Sequence, residues 1–427
     1  NSSTFQSYNT LNYAKRLNKD HYFDVMGGFT LEEGKSSAFG ATAVLLPNES
    51  LGLSGLDEGN PLSIASTTSK FTMASFIARA NYKLFDRFIF TGSIRADGTS
   101  RFLGGNKWGY FPSGGFAYQL NNEKFIKNIR AISNAKLRAS IGITGNNGVG
   151  NFAAHPAISF ANPDGSYPVN NYPSYTFGGA DAKGLMYSSL GNVALKWEET
   201  QQVDFGLELG FLKQRLTFEV DLYRKTTKDL LLNASMAPSS GYNRVMRNIG
   251  KVQNQGLEIT IGGTPIQTKD FTWTSSFNIA FNRNKLLQLT DNQLHLLTAQ
   301  GWGDDWRNIP GYIAKLDNPI AQFYGLIYDG TYKYEDFDLL GGVYTLKNNV
   351  PSNGGSRTNV KPGDVKYRDL DGDGQITESD KTVIGNPNPV HIGGFSNNFN
   401  YKGFDLGIFF QWSYGNDIIN ANRIMFE

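Results

Sequence analysis

The sequence predicts an all-β protein, an antiparallel transmembrane β-barrel with long extracellular loops, and three observations carry that expectation. Apolar and polar residues alternate with period two along many segments, short and long links between those segments alternate, and the polar face of the segments carries many full charges. Composition agrees: 48 Gly, 30 Phe and 21 Tyr in 427 residues, with 18% charged residues and a mean hydropathy of −0.36. Such a balance suits strands with one apolar and one wet face. No run approaches the roughly 20 apolar residues of a spanning helix.

Taken in chain order, a first, weaker strand covers 10–14 and a second 23–31. From residue 74 the even positions Ala74, Phe76, Ala78, Ala80, Tyr82 and Leu84 are apolar, whereas Ser75, Arg79, Asn81 and Lys83 occupy odd ones. Period two of this kind gives a strand with two different faces. Phe88, Phe90, Ile94 and Ala96 resume the pattern after a tight hairpin, and Leu137, Ala139, Ile141 and Ile143 repeat it. The clearest hairpin sets Val203, Phe205, Leu207, Leu209 and Phe211 beside Leu216, Phe218, Val220 and Leu222, with Asp204, Glu208, Glu219 and Asp221 on the other face. Two more hairpins combine 257–261 with 271–281 and 395–401 with 404–412. About twelve strands result, each near the roughly 9–11 residues of a tilted membrane strand.

Links at 16–19, 84–87, 212–215, 265–270 and 402–403 are short, and 121–133 on the same side has room for a small helical turn. Those at 34–70, 98–109, 146–198, 226–250 and 284–390 are long. Outer-membrane barrels show this asymmetry, with short periplasmic turns and long extracellular loops. A soluble sandwich or propeller also has period-two strands, but loops beyond about 15 residues are uncommon in compact domains. Arg79, Arg95, Asp97, Arg138, Asp204, Glu208 and Asp221 would be costly in a dry core and are at home beside a wet lumen. Phe85, Phe88, Phe211, Tyr401 and Phe404 at the short-link ends, and Trp108, Tyr110, Phe111, Trp412 and Tyr414 at the other, are placed as two interfacial girdles.

A formal charge of +2 provides no electrostatic footprint for nucleic acid, and the absence of cysteine removes disulfides, thiolate nucleophiles and cysteine metal sites. His21, His155, His295 and His391 are scattered without metal spacing. No constellation singles out catalysis, so the expectation is a protein that is not an enzyme. The strongest local motif lies at 369–380, within a long loop region spanning 285–390. Asp369, Asp371 and Asp373 at loop positions one, three and five, Gly374 at six, the carbonyl of Gln375 at seven and Asp380 at twelve match an EF-hand loop for Ca²⁺. No EF-hand helices flank it, which makes any bound ion structural, and the alternative is an Asx/Gly turn with solvated carboxylates. Trp302, Trp306, Tyr312, Tyr324 and Tyr328 are candidate substrate-stacking residues, or they hold the loop together.

Several stretches resemble the SusC/RagA family of TonB-dependent outer-membrane transporters. They are Arg95-Ala96-Asp97-Gly98-Thr99-Ser100-Arg101-Phe102, Phe111-Pro112-Ser113, and Leu137-Arg138-Ala139-Ser140 leading to Thr144-Gly145-Asn146. Asn254-Gln255-Gly256-Leu257-Glu258, Phe323-Tyr324-Gly325, Gly363-Asp364-Val365-Lys366-Tyr367, Val383-Ile384-Gly385-Asn386-Pro387, Tyr401-Lys402-Gly403-Phe404-Asp405-Leu406 and Tyr414-Gly415-Asn416-Asp417 follow in order. The resemblance implies a 22-stranded barrel, of which this chain carries about twelve strands, in the outer membrane of a Gram-negative, Bacteroidetes-like bacterium. It implies import of oligosaccharides or peptides, a SusD-like lipoprotein at the extracellular side, and TonB acting through a plug. Neither the plug nor the closing strands are visible in the sequence, and twelve strands alone would leave unpaired edges in lipid. The expectation is therefore a segment of a larger protein. A receptor or secretion scaffold that does not transport is the alternative.

Overall fold

The computed structural model describes residues 1–159, 174–177, 180–183, 186–242, 244–290, 293–299, 309–353, 356–420 and 422. Its main feature is a twelve-stranded antiparallel sheet whose strands follow one another in chain order. They are β1 (Ser2–Arg16), β2 (His21–Val44), β3 (Asn60–Leu84), β4 (Phe88–Thr99), β5 (Trp108–Gln119), β6 (Ile132–Asn146), β7 (Glu198–Phe211), β8 (Leu216–Lys228), β9 (Lys251–Gln267), β10 (Phe271–Gln288), β11 (His391–Tyr401) and β12 (Phe404–Tyr414). Among the described residues no helix is long and apolar enough to cross a membrane.

The chain divides into two compact units, one of residues 1–214 and 221–251, the other of 215–220 and 252–427. In the first unit the register fixes the faces, because directly paired residues of an antiparallel ladder share a side. Phe76 pairs with Ala96 and Phe29, Ile94 with Pro112, Phe116 with Ala139, and Ala139 with Phe205. These form apolar rows that stay open to the surroundings, with Phe76, Ile94, Leu137, Ile141 and Phe205 exposed. A soluble protein rarely exposes so large a contiguous apolar patch. Arg79 pairs with Ser93, Asn81 with Thr91 and Asp204 with Ser140 on the opposite, polar side. The alternation read from the sequence is thus the alternation of the two faces.

The tight turns at 85–86 and 402–403 are made by consecutive residues of positive φ. Lys402 and Gly403 carry φ values of 46° and 91°, and Phe85 and Asp86 of 56° and 52°. Two central residues with positive φ match the right-handed twist of flanking strands. Lys83 forms an ion pair with Asp86 at 3.0 Å and holds its carboxyl below the ordinary range. The wider connection after β5 contains a short helix at Lys124–Lys127, the helical turn expected there.

Strand lengths differ from the sequence expectation in one place above all. The link expected at 34–70 is largely strand: β2 runs to Val44 and β3 starts at Asn60, paired with one irregularity at Thr42/Ala43. Ser, Thr, Ala and Gly dominate 36–44 and 63–69, so hydrophobic contrast between faces vanishes and the period-two signal with it. Continuous register from the membrane-length part of the ladder extends the pairing regardless. Similarly, β1 reaches well beyond 10–14, and β9 and β10 beyond 257–261 and 271–281.

In the first unit a buried cluster sits at the long-connection end of the sheet, where Phe102, Phe111 of β5, Val149, Ala154, Leu195 and Trp197 are buried together. In the second unit the connection between β10 and β11 is itself structured. It holds a four-stranded sheet of His295–Ala299, Pro310–Lys315, Gln322–Gly325 and Thr382–Gly385, and a second cluster of Tyr332, Phe337, Leu346, Val350 and Val360.

Candidate functional site

The polar face of the first unit is built from the polar members of the alternating strands, odd-numbered on β3, β4 and β8 and even-numbered on β6 and β7. Lys136 on β6 pairs directly with Glu208 on β7, and Arg138 with Gly206. Lys136 Nζ lies 3.1 Å from Glu208 Oε1 and Arg138 Nη1 lies 3.2 Å from the same oxygen. Arg138 Nη2 also reaches both oxygens of Asp221 at 2.7 Å, so one guanidinium bridges carboxylates of two strands. A Cβ at position 206 would stand 2.6 Å from Asp221 Oδ1 and even closer to Arg138 Nε, which is why this row needs glycine. Beside the network a depression of about 270 Å³ is lined by Thr91, Gly115, Ala117, Ser140 and Asp204 together with Lys136 and Arg138.

Polar contacts continue along the same face. Asn81 donates to Asp24 at 3.2 Å and accepts from Thr91 at 2.9 Å, and the hydroxyls of Ser93 and Ser113 are 2.7 Å apart. Arg95 donates to Asp97 at 2.6 Å and to Ser75 at 3.2 Å, and both acceptors are buried. Charged groups and hydroxyls on this face thus satisfy one another by hydrogen bonds and ion pairs.

In the first unit the stretches around Arg101-Phe102, Phe111 and Gly145 meet at the long-connection end. Arg101 donates to Asn151 at 2.9 Å and to the Asn147 carbonyl at 3.1 Å, while its guanidinium lies 4.6 Å over the Phe71 ring. Phe102 and Phe111 both meet Trp197 edge-on, at 5.7 and 5.3 Å. A side chain at Gly145 would run into the Phe111 ring, so the Thr144-Gly145-Asn146 stretch is glycine where the aromatic lies flat. In the second unit Asp417 accepts from the Asn386 N–H at 2.7 Å and its own N–H donates to the Asn386 carbonyl at 2.8 Å. The stretches ending in Pro387 and Asp417 are thereby locked together.

Of the aromatic candidates, Trp302 and Trp306 lie outside the described residues. Tyr312 pairs with Phe323, ring centroids 5.7 Å apart, and Tyr324 is the next residue along, on the opposite face of that strand. Tyr328 sits in a separate two-stranded ladder opposite Tyr367 and is exposed. Tyr312 and Tyr324 thus belong to one small sheet and Tyr328 to a separate ladder. The histidines His21 and His391 are packed residues: His21 Nδ1 meets the Tyr82 hydroxyl at 2.5 Å, and His391 accepts from Trp412 at 3.2 Å.

The acidic loop brings Asp369, Asp371 and Asp373 together, with one oxygen of each within 4.8 Å of the others. Asp369 accepts from the N–H groups of Gly372 and Gly374, Asp371 from Asp373, and Asp373 from Gln375. Gly372 and Gly374 have φ of 78° and 79°, the left-handed values that fold the loop back on itself. Asp380, wholly buried, accepts from the N–H groups of Leu370 and Thr377 at 2.7 Å each. Those backbone bonds, the Thr377 one foremost, hold its carboxyl below the ordinary range. Its contribution to the loop is present above the ordinary carboxylate pKa and is lost as pH falls through the lowered one. The loop is anchored to 350–353 by Ile376 N–H donating to Ser352 at 2.7 Å. Nearby, burial pushes the Tyr332 hydroxyl up, and it donates to the Pro351 carbonyl at 2.7 Å.

Comparison with known proteins agrees with this architecture. The profile of the family described as TonB dependent receptor-like, beta-barrel matches residues 1–372. The TonB-dependent receptor P39 of Formosa agariphila is 31% identical over 97% of this chain and 40% of its own length. SusC of Bacteroides thetaiotaomicron, a TonB-dependent receptor, is 32% identical over 81% of this chain and 31% of its own length. The structure of the RagAB peptide transporter superposes with a TM-score of 0.74 at 27% identity, covering 96% of this chain and 41% of that one. The chain thus spans less than half the length of these relatives, all along its own sequence. The open apolar rows, the charged opposite face and the matches together place it in the outer membrane. The chain belongs to the TonB-dependent receptor β-barrel family, and within it is of the SusC/RagA type.

Proposed function

We propose that the protein containing this chain imports a bulky hydrophilic nutrient, an oligosaccharide or a peptide, across the outer membrane. The observation that carries this is the continuous charged and hydroxyl-rich face from Asp24 through Arg138 to Asp221, backed by apolar rows open to lipid. A wall of that kind lines a wet passage. Its likeness to the RagAB peptide transporter supports the peptide class, and the oligosaccharide class rests on the family resemblance of the motif stretches. On this proposal the long connections face outside and meet a SusD-like lipoprotein, TonB drives the cycle, and the protein does no covalent chemistry.

The test is uptake by cells carrying the full-length protein compared with a deletion strain, using fluorescent oligosaccharides and fluorescent peptides. Concentrative uptake of one class, abolished by deletion and by collapse of the proton gradient, is expected, with a lipoprotein co-purifying. Equal uptake of every class in both strains overturns transport and favours a receptor or scaffold.

We further propose that the acidic loop holds a structural Ca²⁺. The three carboxylates face one another, and each retains acceptor capacity beyond its bond to backbone N–H. Asp369, Asp371, Asp373 and the Gln375 carbonyl would supply the hard oxygen donors this ion takes, and Asp380 would fix the loop's ends. Calcium at about ten times its dissociation constant slows amide exchange of 369–380 about tenfold. The Asp369→Asn/Asp371→Asn variant abolishes that slowing. Exchange indifferent to calcium in the unaltered protein overturns the assignment.

A further inference from the structure

The outward, apolar face of the first unit is not smooth. Across β1 to β5 the register sets Ser7, Leu31, Ala74, Gly98 and Trp108 in one row. The next row toward the long connections is Phe5, Glu33 and Thr72, and Lys35 and Lys70 are paired beyond it. Ala74 and Gly98 are the smallest members, so the row sinks at its centre. The result is a groove of about 450 Å³ lined by Phe5, Leu31, Ala74, Gly98, Lys107 and Trp108 among others. Gly98 is required here: a Cβ would stand 2.8 Å from the Trp108 ring, which lies over it and stacks on Phe76 at 6.1 Å.

The groove is apolar at one end, and at the other it is lined by Glu32, Glu33 and Lys107, with Lys35 and Lys70 one row beyond the lining. Glu33 is neutralised by Lys70 at 2.8 Å. Lys35 and Lys107 are exposed, and among the described residues neither forms an ion pair. Counted over this face, the groove's polar end and the row beyond it carry three ammonium groups (Lys35, Lys70 and Lys107) against one carboxylate (Glu33); Glu32, which also borders the groove, alternates onto the opposite face. A lysine belt just beyond an apolar surface is the arrangement that meets an anionic headgroup layer.

We propose that this groove binds one anionic membrane lipid. An acyl chain lies over Ala74 and Gly98 between Leu31 and Trp108, and a headgroup phosphate faces Lys35 and Lys107. The face is continuous with the apolar rows of Phe76, Ile94 and Phe90 that meet the bilayer, so a lipid reaches it laterally. Its assignment to the outer leaflet rests on the long connections facing outside. Binding itself is independent of transport.

Native mass spectrometry of the full-length protein in mild detergent, with lipid A added as probe, tests this. One lipid A per protein is expected for the unaltered protein. Occupancy falls at least tenfold in Ala74→Trp, which fills the floor, and in Lys35→Glu/Lys107→Glu, which changes only exposed side chains. The two variants guard against misfolding of either one. Equal occupancy in all three proteins, or none in any, overturns the site. Phosphatidylcholine retained as well as lipid A overturns the role of the lysines. Retention is read on purified protein and uptake in cells, so failure of one leaves the other standing.

Discussion

Replacing Trp197 with alanine is expected to open the long-connection end of the first unit while leaving the strands paired. Trp197 is 6% exposed and is the common partner of Phe102 and Phe111. Its indole N–H also donates to the Lys107 carbonyl at 3.1 Å, so one side chain ties residues before β5, within β5 and before β7. Truncating a buried tryptophan costs about 3–5 kcal/mol through lost transfer energy and the cavity left behind. Gly109 aggravates the loss, because it has no side chain with which to fill the space. Tenfold corresponds to about 1.4 kcal/mol, so amide exchange of 101–107 and 147–155 accelerates by roughly 10²–10⁴ if these segments open as a local unit. Trp197→Phe keeps most of the packing and loses the hydrogen bond, and it should recover most of the protection. Unchanged exchange in Trp197→Ala would mean the cluster does not hold these connections.

The period-two faces of β3, β4, β6, β7 and β8 were legible because each pairs bulky apolar residues with full charges, so the contrast survives in the sequence alone. The upper halves of β2 and β3 were not, since a ladder of Ser, Thr and Ala has no contrast to read. Phe102 and Phe111 stood in motif stretches, but Trp197 did not, and nothing local marks a residue whose partners lie about a hundred positions away. The same limit applies to the Arg138 bridge: Arg138, Glu208 and Asp221 were readable as a polar face, but Asp221 lies on β8, and its junction with Arg138 across β7 depends on a glycine between them. The acidic loop is the opposite case, a local structure whose spacing alone brings Asp369, Asp371 and Asp373 together. Even there, the double backbone clamp made by Asp380 came only from the fold.

The Arg138 bridge yields the second large effect. Its side chain is 33% exposed, and those of Glu208 and Asp221 are 25% and 20% exposed. Breaking a fully buried pair costs about 3–5 kcal/mol, whereas an exposed one is worth about 0–1. A wet wall lies between these limits, and Arg138→Ala is expected to cost about 2 kcal/mol of protection in β6 and β7. The cost arises because Asp221 loses its bidentate partner while Glu208 keeps Lys136. Arg138→Lys recovers little of it, since a single ammonium cannot span two strands as the planar guanidinium does. Adding Asp221→Ala to Arg138→Ala should return part of the loss, giving a coupling of about 1–2 kcal/mol in the double-mutant cycle. That double variant separates structure from passage, because it removes one charge of each sign from the polar face while relieving the frustrated carboxylate. If the face conducts cargo, uptake of charged peptides changes in the double variant more than uptake of neutral oligosaccharides, at nearly native stability. If the bridge only braces the wall, uptake of both follows stability and recovers together.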